Sequence, residues 1–148
     1  MVSEFIVVDA SVAIKWLVEE DDSDQATALA RFWDDEGTQL AAPYLMPFEV
    51  ANALHRRVTR SELEVDGAAV LMQDLMSMGI EFYEPSGLHT RALELASLLG
   101  QGAVYDAHYL ALAEILDYEY WTADLRFYRA ASQFAQNVRW IGEFVAPG

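Results

Sequence analysis

Short β-rich segments alternate along the chain with longer segments in which apolar residues recur at helical spacing. Five segments have the length of a strand: Phe5–Asp9, Leu40–Pro43, Ile80–Glu84, Glu119–Thr122 and Val138–Ile141. The intervening segments place apolar residues three or four positions apart, as at Leu71, Leu75 and Met78 in the fourth predicted helix. This alternation predicts an α/β domain with five parallel strands and about seven helices covering both faces of the sheet.

Turn and capping residues give the boundaries of the predicted helices. Pro43 and Pro47 bracket a turn that leads into a helix over Phe48–Val58, and Ser86 is the candidate N-cap of the fifth helix. Further helices are predicted over Ser11–Val18, Tyr105–Asp117 and Leu125–Ala135. No repeat, low-complexity tract or linker interrupts the chain, so residues 1–148 are expected to form a single domain.

Composition and charge restrict the possible functions. The 148 residues are 53% hydrophobic, and 24 acidic against 9 basic residues give a net charge of −15, which opposes binding to nucleic acid through a generally basic surface. The absence of cysteine excludes thiolate metal sites, disulfides and cysteine nucleophiles. No apolar run is long enough to span a membrane, and the first nine residues lack the basic start of a signal peptide. A cytoplasmic protein without membrane contact is therefore expected.

Four carboxylates are predicted to meet at one edge of the sheet. Asp9 directly follows the apolar run Phe5–Val8 of the first strand and Asp124 closely follows the fourth strand, so both lie at carboxyl ends. Glu49 is expected in the first turn of the helix after the second strand, and Asp106 opens the helix Tyr105–Asp117. Clustered carboxylates repel one another and require protonation or a cation, and Mg²⁺ or Mn²⁺ suits a site made only of oxygen ligands.

Each of these acids also has a purely structural explanation. Asp9 and Asp124 can cap the helices that follow them, and Glu49 and Asp106 can complement helix dipoles. Taken singly, the structural explanation is the better one. The predicted convergence of all four favours a functional site.

Around these acids the sequence resembles the PIN-domain family and, within it, the VapC-type toxins of toxin–antitoxin pairs. Four segments carry the resemblance, in the family's order and spacing: Val8–Trp16, Pro47–Leu54, Tyr105–Ala113 and Thr122–Asp124. The resemblance covers essentially the whole chain. It implies a three-layer α/β/α fold, a metal-dependent endoribonuclease that forms homodimers, and a small cognate antitoxin.

The leading hypothesis assigns a role to each site residue. Asp9, Asp106 and Asp124 would hold one or two Mg²⁺ or Mn²⁺ ions, and Glu49 would bind a second ion or orient water for attack on a phosphodiester bond of RNA. Hydrogen bonds from three further residues are expected to support the site: Ser11, Asn52 and Thr122. Capping and turn formation are the structural alternatives for these three.

Because the chain carries a net charge of −15, RNA is expected to bind at a local group of basic residues. Basic residues follow the motifs, and Lys15, Arg56 and Arg126 are the candidate RNA contacts. Their structural alternative is an ordinary exposed position. A basic segment of an antitoxin is expected to enter the carboxylate cluster and to compete with the metal ion.

Two other functional classes stay open at this stage. The first is a non-catalytic PIN-type module that binds a partner protein, which the unfavourable net charge supports. The second is a metal-dependent phosphatase or DNA nuclease with the same carboxylate chemistry. P-loop, GxGxxG, GxSxG and HExxH motifs are absent, which excludes the usual nucleotide-binding, acyl-transfer and zinc-peptidase sites. The sequence leaves open which RNA is cut.

Overall fold

The computed structural model describes residues 4–147, in which strands and helices alternate as the sequence predicts. The strands are β1 Phe5–Val8, β2 Gln39–Pro43, β3 Glu81–Tyr83, β4 Glu119–Thr122 and β5 Val138–Trp140. The helices are α1 Ala10–Leu17, α2 Ser23–Glu36, α3 Leu45–Thr59, α4 Val65–Met76, α5 Leu88–Leu98, α6 Tyr105–Leu116 and α7 Leu125–Ala131, followed by a short 3₁₀ turn over Ile141–Glu143. Residues 1–3 lie outside the described residues. They belong to the N-terminal segment that the sequence predicts not to be a signal peptide.

The five strands form one parallel sheet in the order β3-β2-β1-β4-β5. The chain moves from β1 outward through β2 to β3 and then returns to the other side of β1 for β4 and β5. The order therefore reverses between β1 and β4, and the carboxyl ends of these two strands form the crevice in which α/β proteins usually bind ligands. The register pairs Val8 with Trp121, so the residues that follow each strand lie side by side.

Helices cover both faces of the sheet, which gives three layers. On one face, helix α6 packs on β1, β2 and β4, and α5 packs on α6. On the other face, α1 contacts β4 and α3 contacts β2; α2 packs on α1, and α4 packs on α3. The strand β1 is buried at Ile6, Val7 and Val8, as expected for a parallel strand covered on both faces. The predicted α/β/α fold with a five-stranded parallel sheet is confirmed. No helix within residues 4–147 is long and apolar enough to cross a membrane.

Helix α3 begins earlier than predicted, which moves Glu49. It starts at Leu45, and Pro47 lies inside its first turn, where the missing N–H of proline would have no helical partner in any case. Glu49 therefore lies in the second turn, and the prediction of a first-turn position was wrong. The Glu49 carboxylate reaches the sheet edge because it projects from the face of α3 that lies there. Complementing the helix dipole does not explain its position.

Other helix ends differ from the prediction because turns interrupt the apolar spacing. Ser86 does not cap α5; Gly87, with φ +84°, precedes the first helical residue and no side chain caps the helix. Met78 lies beyond α4, since the chain turns at Gly79 with φ +78°. Helix α7 ends at Ala131 and not at Ala135, because the chain must reverse there to reach β5.

Candidate active site

The structure brings the four predicted carboxylates together at the crevice between β1 and β4. A cavity of about 540 Å³ lies there, and its walls include Asp9, Glu49, Asp106 and Asp124. They come from four different elements: the ends of β1 and β4, the second turn of α3 and the first turn of α6. The convergence that the sequence predicts is thus present in the fold.

Asp9 is the buried centre of the site. Its side chain is 3% exposed, and four groups donate hydrogen bonds to it. Oδ1 accepts from the Ser11 hydroxyl and the Val12 amide, and Oδ2 accepts from the Tyr120 hydroxyl at 2.7 Å and the Thr122 hydroxyl at 2.6 Å. Burial raises the pKa of Asp9, whereas these hydrogen bonds oppose the rise because they favour the carboxylate.

Ser11 and Thr122 tie the ends of β1 and β4 to each other through Asp9. The Ser11 hydroxyl donates to Asp9 and accepts from the Ala123 amide at 3.0 Å. The Thr122 hydroxyl donates to Asp9 and accepts from the Asp124 amide at 3.0 Å. Each hydroxyl therefore fixes a carboxylate and a backbone amide at once, which is how a supporting group holds a ligand in position.

Glu49 reaches the cavity from α3 and is held by α6. Its carboxylate accepts a hydrogen bond of 2.6 Å from the Tyr109 hydroxyl. Burial is the largest cause that raises the pKa of Glu49, and the charge of Asp9 adds to it. Burial, and after it the charges of Glu49 and Asp9, raise the pKa of Tyr109 far above its ordinary value, so this hydroxyl stays a donor.

Asp106 is the most perturbed partly exposed acid of the site. Its pKa is raised from 3.8 to about 7, first by burial and then by the negative charges of Asp9, Glu49 and Asp124. Within residues 4–147 no group donates a hydrogen bond to its carboxylate. Its ionised form therefore depends on a cation more than that of Asp9, which has four donors.

Asp9 and Asp124 cap the helices that follow them and also line the cavity. Asp9 caps α1 through the Val12 amide, and Asp124 caps α7 through the Phe127 amide at 3.0 Å. The cap uses Oδ1 of each side chain, and in Asp9 the other oxygen accepts from the Tyr120 and Thr122 hydroxyls. Because each strand runs directly into a helix here, the cap and the cavity wall are the same residue.

The remaining predicted residues differ in how close they lie to the carboxylates. Asn52 and Arg56 line the same cavity from α3, although the Asn52 side chain bonds to none of the four acids. Lys15 points away, because its ammonium donates to the Glu20 carboxylate at 3.2 Å and to the Asp21 carbonyl at 2.6 Å. Arg126 is exposed on α7 and is not among the residues that line this cavity.

Two tyrosines belong to the site although the sequence analysis did not select them. Tyr120 and Tyr109 are both completely buried, and their rings stack with centroids 6.1 Å apart. Tyr120 holds Asp9 and Tyr109 holds Glu49. The sequence offers a weak signal for Tyr109, which lies one helical turn after Asp106 and so on the same face of α6.

The donor set fits a hard divalent cation. All four site side chains offer oxygen, and three negative neighbours raise the pKa of Asp106, so a cation would stabilise the ionised cluster. Within residues 4–147 no group of three or more His, Asp or Glu side chains is already arranged to hold a metal ion. An open cavity with few direct protein ligands is compatible with Mg²⁺, which keeps several of its waters in proteins.

Comparison with known proteins agrees with this geometry. A family model described as PIN domain matches residues 6–133. Ribonuclease VapC9 of Mycobacterium tuberculosis is 34% identical over 121 residues, covering 82% of this chain and 87% of that protein. Ribonuclease VapC3 of Pyrobaculum aerophilum is 34% identical over 114 residues, covering 74% of this chain and 81% of that protein.

Solved structures share the fold at lower sequence identity. The crystal structure of PAE2754 from Pyrobaculum aerophilum has a TM-score of 0.67 at 20% identity and covers 94% of this chain and 84% of its own. That of VapC20 from Mycobacterium tuberculosis, described as a sarcin-ricin loop cleaving toxin, has a TM-score of 0.65 at 15% identity and covers 88% of this chain and 97% of its own. Sequence and fold together show that the chain belongs to the PIN-domain family, with VapC ribonucleases among its relatives.

Proposed function

We propose that this protein is a Mg²⁺- or Mn²⁺-dependent endoribonuclease of the VapC toxin type. One observation carries the proposal: four carboxylates from four separate elements meet in one cavity at the switch point of the sheet. Burial and the charges of the other three carboxylates raise the pKa of Asp106 there. The 34% identity to VapC ribonucleases over most of the chain supports the same activity.

The residues of the cavity have different proposed roles. Asp9, Asp106 and Asp124 are the proposed metal ligands, and Glu49 is proposed to bind a second ion or to orient the attacking water from its fixed position against Tyr109. Ser11, Thr122 and Tyr120 hold the Asp9 carboxylate, so its oxygens keep one orientation. When bound, Mg²⁺ or Mn²⁺ would supply the Lewis acidity that activates water and stabilises the leaving oxygen.

Water attack predicts the ends of the cleaved RNA. The purified protein incubated with RNA and Mn²⁺ is expected to give products with a 5′-phosphate and a 3′-hydroxyl, because water and not the 2′-hydroxyl is the nucleophile. Labelling of the product ends and sensitivity to a 5′-phosphate-dependent exonuclease would show this. A 2′,3′-cyclic phosphate would refute the mechanism, and complete absence of cleavage would favour the protein-binding module.

The partners proposed for the protein are a small cognate antitoxin and a second copy of the same chain. For the antitoxin, a basic side chain is expected to enter the carboxylate cavity, since an Arg or Lys relieves the same repulsion as the metal ion. Excess Mn²⁺ is then expected to weaken the complex about tenfold or more, measured by calorimetry at fixed ionic strength. An affinity that is unchanged by Mn²⁺ and by the double variant Asp9→Asn/Asp106→Asn would contradict this mode of inhibition.

A further inference from the structure

A second cavity adjoins the acidic one and differs from it in charge. It measures about 530 Å³ and lies between α1 and α3, and it shares Ser11, Ile14, Ala53 and Arg56 with the acidic cavity. We call it the α1/α3 groove. Because the two cavities share four lining residues, they adjoin, and a chain-like ligand can extend from one into the other.

The α1/α3 groove concentrates positive charge on a strongly acidic protein. Four cations line it: Lys15, Arg56, Arg57 and Arg60. They face two carboxylates, Glu20 and Glu62, which leaves a local excess of two positive charges although the whole chain carries −15. Nearly half of the nine basic residues of the chain are gathered at this one place beside the carboxylate cavity. A local electropositive path of this kind is what a polyanion needs to approach an acidic protein.

The Glu20 carboxylate lies between two of these cations, Lys15 and Arg57. Its two oxygens are bound by different cations, Oε2 by Arg57 at 2.7 Å and Oε1 by Lys15 at 3.2 Å. The backbone of Glu20 is fixed as well, since its amide donates to the Ser23 hydroxyl at 3.0 Å. Two anionic oxygens held by an arginine and a lysine reproduce the contacts that the two free oxygens of a phosphodiester would make.

Arg56 and Arg60 are the cations still available. Within residues 4–147 neither forms an ion pair, whereas Arg57 also lies 3.7 Å from Glu62. Both are exposed, Arg56 in the last turn of α3 and Arg60 at the residue that caps its C-terminus. Arg56 lines both cavities, so it lies where an RNA strand would pass from the groove to the carboxylates.

We propose that the α1/α3 groove binds the sugar–phosphate backbone of the RNA strand next to the scissile bond, and that Glu20 is a built-in counter-ion that one backbone phosphate replaces. The proposal rests on the nuclease function proposed above. Arg56 and Arg60 bind phosphates directly, and Arg57 and Lys15 become available when Glu20 is displaced. Lys15 is therefore a contact only after this exchange, and Arg126 lies outside the path.

Binding of a 5′-fluorescein-labelled single-stranded RNA 12-mer tests the groove without turnover. The dissociation constant is measured by anisotropy at several salt concentrations on an Asp106→Asn background, with the RNA checked to be intact afterwards. Glu20→Gln is expected to tighten binding about fivefold, because it removes the competitor for Arg57 and Lys15. Arg56→Ala and Arg60→Ala are each expected to weaken binding severalfold and to lower the salt slope by about 0.7, the value for one phosphate contact on a single strand.

Matched controls separate the groove from net charge. Glu36→Gln changes the total charge as Glu20→Gln does, and Arg31→Ala removes an exposed arginine of α2, but neither residue lines the groove. If Glu20→Gln binds RNA no more tightly than Glu36→Gln, the counter-ion role is wrong. If Arg56→Ala and Arg60→Ala bind like Arg31→Ala, the groove is not the RNA path. Arg60 is exposed and forms no ion pair within residues 4–147, so its replacement is expected to change folding stability only slightly.

The wild-type cleavage assay keeps the two proposals distinguishable. Cleavage by the wild type with groove variants that behave like their controls would overturn the groove and leave the nuclease intact. Metal-dependent cleavage that is absent, together with the expected changes in RNA affinity, would overturn the nuclease and leave the groove as an RNA-binding surface.

Discussion

Asp106→Asn is expected to reduce RNA cleavage by about a hundredfold to a thousandfold while the protein stays folded. The substitution removes one negative charge at nearly constant volume from a side chain that no hydrogen bond holds within residues 4–147. Divalent-ion affinity falls because an anionic ligand is lost. The repulsion from Asp9, Glu49 and Asp124 falls with it, so the metal-free variant is expected to melt at a higher temperature than the wild type.

Asp35→Asn is the matched control for this experiment. Asp35 lies in an exposed acidic run near the end of α2, so the same change of charge and volume occurs far from the cavity. Its cleavage rate and its metal-free melting temperature are expected to equal those of the wild type. Unchanged cleavage by Asp106→Asn would overturn the assignment of the active site, whatever its effect on stability.

The sequence predicts the sheet and the position of the acids for a simple physical reason. Strands buried on both faces appear as continuous apolar runs such as Phe5–Val8, and ligands gather where such strands end. Asp9 and Asp124 could therefore be located without coordinates. The pairing of β1 with β4, which places Thr122 beside Asp9, depends on contacts between residues more than 100 positions apart.

The supporting tyrosines and the basic groove depend on packing that no local pattern shows. Tyr109 and Tyr120 look like ordinary core aromatics in the sequence. The Tyr109 hydroxyl reaches Glu49 because α6 packs on the sheet, and the Tyr120 hydroxyl reaches Asp9 because β4 pairs with β1. The position of the candidate RNA-binding cations also depends on packing that the sequence does not show. Proximity in sequence selects Arg126 as readily as Arg56, but only Arg56 lines the cavity, since α3 runs along it and α7 points its arginine to solvent.

Sequence also misplaces residues where one helix end depends on a single turn. Glu49 was expected at the start of its helix because Pro47 normally marks a boundary, yet a proline is equally compatible with the first turn. Three extra residues at the start of the helix do not change which of its later residues face the sheet edge. Glu49 therefore reaches the predicted cavity in spite of the wrong boundary.

The metal-free protein is expected to lose stability as the pH rises from about 5 to about 8. The folded-state pKa of Asp106 is about 7 against 3.8 for the ordinary side chain, so between these values the folded protein holds a proton that the unfolded chain releases. The free energy of unfolding then falls with pH, since the folded state binds more protons. Asp9 and Glu49, whose pKa values are also raised, act in the same direction.

Melting curves in EDTA and in Mn²⁺ between pH 5 and pH 8 would measure this dependence. Because Asp106 is partly exposed, solvent screening limits its share to about 1–2 kcal/mol, or about 2–8 °C in Tm. Mn²⁺ is expected to reverse the trend, because the ion binds the ionised carboxylates and its affinity grows with pH; at a hundred times its Kd it would add about 2.7 kcal/mol. Asp106→Asn should flatten the EDTA curve, which would assign the slope to Asp106. A wild-type Tm in EDTA that rises with pH in parallel with that of Asp106→Asn would show that the cluster carries no unrelieved repulsion, and the electrostatic basis for a metal ion in this cavity would be lost.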